Sequence, residues 1–168
     1  MLGLIERLVR LLEHGTEIAG IPWPVGDPEG DGDAPGLLHL VVRHRLPQPL
    51  GDPLRLHQVL ANFLSNACKF SPAGATVELS LERRAESLRV SVRDYGDGIP
   101  LDFQARIFQK FSQADASSTR QKGGTGLGLA ISKELIERMN GQIGFDSHAG
   151  QGTCFWFELP SVPPMSDA

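Results

Sequence analysis

Cysteine is scarce: the 168 residues hold two, Cys68 and Cys154, far apart and not in a C-x-x-C pair. That excludes a disulfide framework and a zinc ribbon, and it fits a reducing, cytoplasmic setting. No apolar run approaches the roughly 20 residues a membrane span needs. The start of the chain lacks the pattern of a signal peptide. There is no basic block either. Sixteen Lys and Arg stand against twenty Asp and Glu, a net charge of -4, so a nucleic-acid groove is a poor first reading. The histidines, His14, His39, His44, His57 and His148, show no ligand spacing, so solvent or core roles are expected for all. What the chain has in excess is glycine. Of 19, ten lie between Gly96 and Gly152.

The length suits one well-buried core and is short for two domains. Leu4, Ile5, Leu8, Leu11 and Leu12 share one face over residues 2–18, which predicts an amphipathic helix. Residues 22–36 hold four Pro and four Gly and read as a polar loop. Asp27, Glu29, Asp31, Gly32 and Asp33 imitate a calcium loop, but the twelfth position, where a bidentate Glu belongs, is Leu38. Residues 37–43 read as a strand. Asp52-Pro53 is an N-cap with Pro at the first helical position. The helix it opens runs to about residue 69, with Leu56, Val59, Leu60, Phe63, Leu64 and Ala67 inward.

Strands at 75–82 and 87–93 alternate apolar and polar residues across the turn RRAE, a pattern that predicts an antiparallel hairpin. A short helix is expected at 101–107. A second long helix runs from about 126 to 140 and stops at Gly141 as its C-terminal cap. Strands 142–146 and 153–159 flank the turn SHAGQG, and a disordered tail is expected over 161–168. The order predicts an α+β, two-layer sandwich: a mixed, largely antiparallel sheet with helices packed on one face.

Three glycine-rich spots recur, in RDYGDGIP, KGGTGLGLA and HAGQGT. The last is explained by a hairpin turn alone. The middle one precedes a helix, where bare N–H groups and the positive end of the dipole suit an anion. Glycine there permits close approach to a phosphate. Familiar nucleotide motifs fail. No G-x-x-x-x-G-K-[ST] string exists, and Gly124, Gly126 and Gly128 are G-x-G-x-G after a polar stretch. Asp94-Tyr95-Gly96 imitates the D-F-G of protein kinases, whose other signatures are absent.

The ordered set RLHQVLANFLSNACKFS, RDYGDGIP, IFQKFSQAD, GGTGLGLAIS and GQGTCFWFELP resembles the ATP-binding catalytic domain of sensor histidine kinases of the GHKL superfamily, with its Bergerat fold. The resemblance runs from about Gly51 to Pro160, and FSQADASSTRQKGGTGLGLAIS looks most like hybrid kinases that use a receiver domain. It implies ATP and Mg²⁺ as cofactors, with Asn66 of the N-A-x-K-F motif as the metal ligand. A carbonyl oxygen is the hard ligand that Mg²⁺ takes. Asn62, one turn earlier on the same face, is expected to reach the phosphates or metal-bound water, with Lys69 as a nearby cation.

In the same family the Asp that matches Asp94 accepts the adenine amino group, which selects adenine over guanine; an Asx turn is the bland alternative. The resemblance also assigns to the nucleotide Gly96, Gly98, Ile99, Phe108, Gly123, Gly124, Thr125, Gly126, Leu127, Gly128 and Thr153. Phe108 and Phe111 match the family's phenylalanine box, although such a pair alone is more often core. Arg120 and Lys122 fall in a mobile lid over about 112–125, where a solvated-charge reading is equally good.

The reading is therefore a catalytic domain at 1–160 that donates the γ-phosphoryl group of ATP to a histidine on a separate phosphoacceptor (dimerisation) domain, with a receiver domain downstream. The isolated domain is expected to be a monomer without nucleic-acid or membrane contact. No histidine here begins a phosphoacceptor pattern, so the chain reads as a fragment of a longer kinase. Two rivals stand beside it: another superfamily ATPase or serine kinase, and a non-catalytic nucleotide-binding docking module. ATPase relatives carry a Glu base where this chain has Asn62.

Overall fold

The computed structural model describes residues 21–23, 36–43, 51–72, 74–112 and 126–161. The expected helix at 2–18, residues 24–35 of the polar loop, 113–125 of the lid and 162–168 of the tail lie outside the described residues.

Among the described residues six strands form one sheet: β1 (Ile21–Trp23), β2 (Gly36–Arg43), β3 (Thr76–Arg84), β4 (Ser87–Arg93), β5 (Gln142–His148) and β6 (Gly152–Pro160). Their spatial order is β1-β2-β3-β4-β6-β5. β2 and β3 pair parallel, and every other neighbouring pair is antiparallel. A parallel pair needs a crossover, and helix α1 (Pro53–Phe70) lies between the two strands in the chain. Helix α2 (Leu101–Gln104) is a single turn, and α3 (Gly128–Arg138) precedes the closing β5–β6 hairpin.

Alternation sorts the sheet into two faces. Val77, Leu79 and Leu81 of β3, Leu88, Val90 and Val92 of β4, and Phe155, Phe157 and Leu159 of β6 form one core with the buried face of α1 and Ile136 of α3. Phe63 of α1 is fully buried, with ring centroids 5.5 and 6.0 Å from Phe155 and Phe157. The other face is polar: Arg89 stacks over Trp156 at 4.0 Å and donates to Glu158 at 3.0 Å. The expected architecture holds, with both long helices on the core face.

Several boundaries move. Pro22 and Trp23 belong to β1 and Gly36 to β2, so the ends of the 22–36 segment are strand. β1 is an edge strand, which is where a Pro without an N–H is tolerated. Arg83 and Arg84 pair with Leu88 and Ser87, reducing the RRAE turn to its last two residues. Ser147 and His148 likewise pair with Thr153 and Gly152. α1 starts as expected, with the Asp52 carboxylate accepting the Leu54 N–H at 2.9 Å and Pro53 at the first position. α2 ends at Gln104, short of the expected residue 107.

α3 begins at Gly128 because Gly126 has φ +68, outside the helical region. At its other end Asn140, not Gly141, takes the left-handed position, with φ 58. The Asn140 and Gly141 N–H groups donate to Glu137 and Ile136, a Schellman pattern. Ser161, expected in the disordered tail, is buried and donates its N–H to the Glu86 carbonyl at 3.0 Å.

Candidate nucleotide site

Two segments singled out in the sequence meet α1: the loop with Gly96 at Phe70, and the start of α3 at Asn62. At the C-terminal end of α1 lies the loop that leaves β4. Asp94 follows the outward-facing Arg93 and turns back toward the core side, only 4% exposed. Its Oδ1 accepts the Gly96 N–H at 2.9 Å and the Thr153 N–H at 3.3 Å, while its own N–H donates to the Thr153 carbonyl at 2.9 Å. The Asx-turn reading is thus correct in part, through Oδ1 alone. Oδ2 has no hydrogen bond among the described residues and is the acceptor left for a ligand. Burial pushes the Asp94 carboxyl above its ordinary value, and the two N–H donors and the Arg93 charge only partly oppose this.

Gly96 is where close approach decides the residue. A Cβ there would collide with the Phe70 carbonyl oxygen at the end of α1. Gly98 has φ +80, and a Cβ would strike the His148 carbonyl. This loop is pinned to the β5–β6 hairpin by the Ser147 hydroxyl. Ser147 Oγ accepts the Ile99 N–H at 2.7 Å and lies 2.9 Å from Thr153 Oγ1. The Gly150 N–H donates to the Asp97 carbonyl at 2.8 Å. Gly152, with φ +84, packs against the Asp94 carbonyl. The HAGQGT segment therefore does more than turn: it supports the Asp94 loop. Ser147 carried no signal in the sequence, because an isolated Ser in a strand has none.

Asn62, Asn66 and Lys69 lie on α1. Asn66 is half-buried and Lys69 is exposed near the helix C-terminus. The Asn62 carboxamide is already engaged: Nδ2 donates to Ser132 Oγ of α3 at 3.1 Å, and Oδ1 lies against the Cα of Gly128. Asn62 and Phe70 are eight residues apart, about 12 Å along the axis at 1.5 Å per residue. The C-terminal half of α1 thus runs from Asn62, beside the start of α3, to Phe70, beside the Asp94 loop.

Leu127 is the N-cap of α3 and supplies no side-chain hydrogen bond, so the first N–H groups of the helix have no side-chain cap. Gly126 joins Phe111: the Phe111 N–H donates to the Gly126 carbonyl at 2.9 Å. Phe108 is half-buried against Phe145 at 5.9 Å, a packing contact with the core, whereas Phe111 is 73% exposed. Arg120, Lys122, Gly123, Gly124 and Thr125 lie outside the described residues.

No group of three His, Cys, Asp or Glu among the described residues is arranged to hold a metal ion. The donors on α1 are neutral amides. Such a set fits a Mg²⁺ that arrives with phosphate oxygens and needs one amide carbonyl, rather than a cation caged by protein alone.

Residues 51–163 match the family model of the histidine kinase-, DNA gyrase B- and HSP90-like ATPases. A sensor histidine kinase, GacS, of Pseudomonas protegens is 47% identical over 136 residues, 79% of this chain and 15% of that protein. The signal transduction histidine-protein kinase BarA of Escherichia coli is 46% identical over 161 residues, 92% of this chain and 16% of that protein. The chain thus spans a small fraction of these relatives' length. Among solved structures, full-length ShkA in complex with AMPPNP is similar at a TM-score of 0.66 and 36% identity, over 96% of this chain and 30% of that one. The mycobacterial sensor histidine kinase MprB is similar at a TM-score of 0.64 and 28% identity, over 75% of this chain and 82% of that one. The chain belongs to the histidine kinase-, DNA gyrase B- and HSP90-like ATPase family, as a histidine kinase-type catalytic domain of sensor kinases.

Proposed function

We propose that this domain binds ATP with Mg²⁺ and donates the γ-phosphoryl group to a histidine on a separate phosphoacceptor domain of its parent protein, with a receiver domain next in the relay. The observation that carries the adenine part is Asp94: buried, fixed through Oδ1, with Oδ2 left as an acceptor beside Gly96. An exocyclic amine suits that oxygen and a carbonyl does not.

At the other end, Asn66 would hold the metal through its carboxamide oxygen. Mg²⁺, when bound, neutralises charge that develops on the phosphates during transfer. Gly126 to Gly128 and the uncapped first turn of α3 offer N–H donors to phosphate oxygens, and Lys69 adds a cation. Gly123, Gly124, Thr125, Arg120 and Lys122 extend this phosphate-binding set, with 112–125 as the lid. In the transfer, an imidazole nitrogen of the partner forms a bond to the γ-phosphorus. The bond from that phosphorus to the β–γ bridging oxygen breaks, ADP leaves, and the imidazole proton goes to solvent. The chain's own residues hold and orient the triphosphate for that attack.

Asn62 supports transfer over hydrolysis. It is a neutral amide bonded to Ser132, with no capacity to take a proton from water. We further assign residues 1–160 to this domain and place it in the cytoplasm, acting as a monomer between encounters with its phosphoacceptor. The deciding experiment mixes the chain, γ-labelled ATP and a helical phosphoacceptor domain from a sensor kinase. Acid-labile phosphohistidine on the partner is expected. ATP binding without transfer would favour the docking module, and brisk hydrolysis by the chain alone the ATPase.

A further inference from the structure

We infer that Gln104 is a positioning residue for the base end of the site, holding the exit of the Asp94 loop in place; the inference rests on the nucleotide reading above. The entry of the loop is fixed, because the Asp94 N–H and Oδ1 are both bonded to the Thr153 backbone. Beyond it stand Gly96 and Gly98, the latter at φ +80. Glycine has the widest backbone freedom, so the path of this stretch depends on what holds its far end.

Two hydrogen bonds hold that end, and both fall on Ile99. Its N–H donates to Ser147 Oγ of β5 at 2.7 Å, and its carbonyl accepts from Gln104 Nε2 at 2.9 Å. Neither bond can reverse. A backbone N–H only donates and a carbonyl only accepts, so the NH₂ group of Gln104, and not its oxygen, faces Ile99. The N–H groups that open α2 do not compete for that carbonyl: those of Phe103 and Gln104 donate to the Pro100 carbonyl.

α2 is a single turn, too short to be stable by itself. Leu101 and Asp102 are exposed, so within the turn only the buried Phe103 and the half-buried Gln104 reach inward. Ile99 is thus clasped between β5 and α2. Without the Gln104 donor, the exit of the loop is held on one side only. Gly96 is then free to leave Asp94 Oδ1, to which it donates at 2.9 Å, and the carboxylate loses a bond that aims Oδ2 at the base. Gln104 acts on the base through Asp94, without touching it.

The test is calorimetric titration with ADP and AMPPNP, both with Mg²⁺, of the wild type, Gln104→Met and Gln104→Glu. Methionine has the length of glutamine without a donor, and glutamate has its shape with acceptors only. Each variant is expected to bind both nucleotides about 3- to 10-fold more weakly, the effect of one neutral hydrogen bond. The base is common to the two ligands, so the two losses should agree within about twofold. In an Asp94→Asn background Gln104→Met should add less than about twofold, because the group it serves is already gone. Amide exchange separates positioning from loss of fold. In Gln104→Met the Ile99 and Gly96 N–H groups should speed up by a larger factor than that of Val90 in the core of β4.

Wild-type affinity in Gln104→Glu, losses that differ between ADP and AMPPNP, an undiminished loss beside Asp94→Asn, or equal acceleration at Val90 would each overturn the inference. No binding of either nucleotide by the wild type sinks the nucleotide reading and this inference together; binding insensitive to both Gln104 variants sinks only the inference. A measurement on the wild type covers variants that do not fold. One Gln104 side-chain NH₂ proton should exchange slowly in nuclear magnetic resonance spectra of the free chain, and exchange of both at the rate of a solvent amide refutes the clasp.

Discussion

Asp94→Asn separates the two halves of the Asp94 side chain. Asparagine is nearly isosteric and retains a carbonyl oxygen, so it can still accept the Gly96 and Thr153 N–H groups now held at 2.9 and 3.3 Å. The loop should therefore stay in place, with stability within about 1 kcal/mol of the wild type. At the second position, however, an acceptor becomes an NH₂ donor and faces the adenine amine donor to donor. Losing a charge-assisted hydrogen bond costs about 1.5–3 kcal/mol, which is roughly a 10- to 100-fold weaker affinity for ATP. Asp94→Ala differs. It leaves two buried N–H groups without an acceptor, at about 1–3 kcal/mol each, so stability falls as well as affinity.

The pH dependence follows from the raised carboxyl. Binding to the amine requires the ionised form, whereas burial favours the protonated one. Acidification should thus weaken wild-type affinity at a pH above the ordinary aspartate value of 3.8, and the Asn variant should show no such transition. Calorimetric titration of both proteins with ATP and GTP across pH, alongside thermal melts, measures every quantity named. Unchanged ATP affinity in Asp94→Asn, or equal binding of GTP by the wild type, refutes the assignment.

Phe63→Ala empties the centre of the core between Phe155 and Phe157 and should cost about 3–5 kcal/mol, read by urea denaturation. For Glu158, burial alone would raise the carboxyl, but the Ser87 and Arg89 hydrogen bonds and the Arg89 and Arg84 charges outweigh it and lower it below its ordinary 4.5. A carboxyl lowered by folding contributes stability above that value and loses it as pH falls through the folded value. Glu158→Gln should accordingly flatten the acid limb of a stability–pH profile, and an unchanged limb counts against the network. The chain alone should hydrolyse ATP negligibly, because Asn62 is a neutral amide that takes no proton from water; a steady phosphate-release assay checks this. Asn66→Asp, which changes charge and geometry at the metal ligand, should abolish transfer to a supplied phosphoacceptor.

Local patterns were legible because they depend on neighbours in the chain. Asp52-Pro53 caps α1 through its own side chain, and the apolar residues of α1 recur with the helical period, so the buried face from Leu56 to Ala67 follows from the sequence. The alternation in β3, β4 and β6 names their core residues in the same way. The family motifs identify Asn66, Asp94 and the glycines before α3 as residue types in order. None of this says which strand lies beside which, since pairing between β2 and β3 or β4 and β6 joins segments distant in sequence.

Tertiary contact alone decided the rest. Pro22 and Trp23 are strand because β2 offers them a partner, against their loop-like composition. α3 starts and stops where backbone angles at Gly126 and Asn140 leave the helical region, and these reflect contacts with Phe111 and the end of the helix. Ser147 and Ser132 acquire roles only when folding brings Ile99, Thr153 and Asn62 within hydrogen-bonding distance. β1 apart, the elements and the chemistry of the motifs could be read from the chain alone, because both are encoded by residues a few positions apart. The orientation of each polar side chain was decided by the fold, because a hydroxyl or a carboxamide has several partners open to it until packing removes all but one.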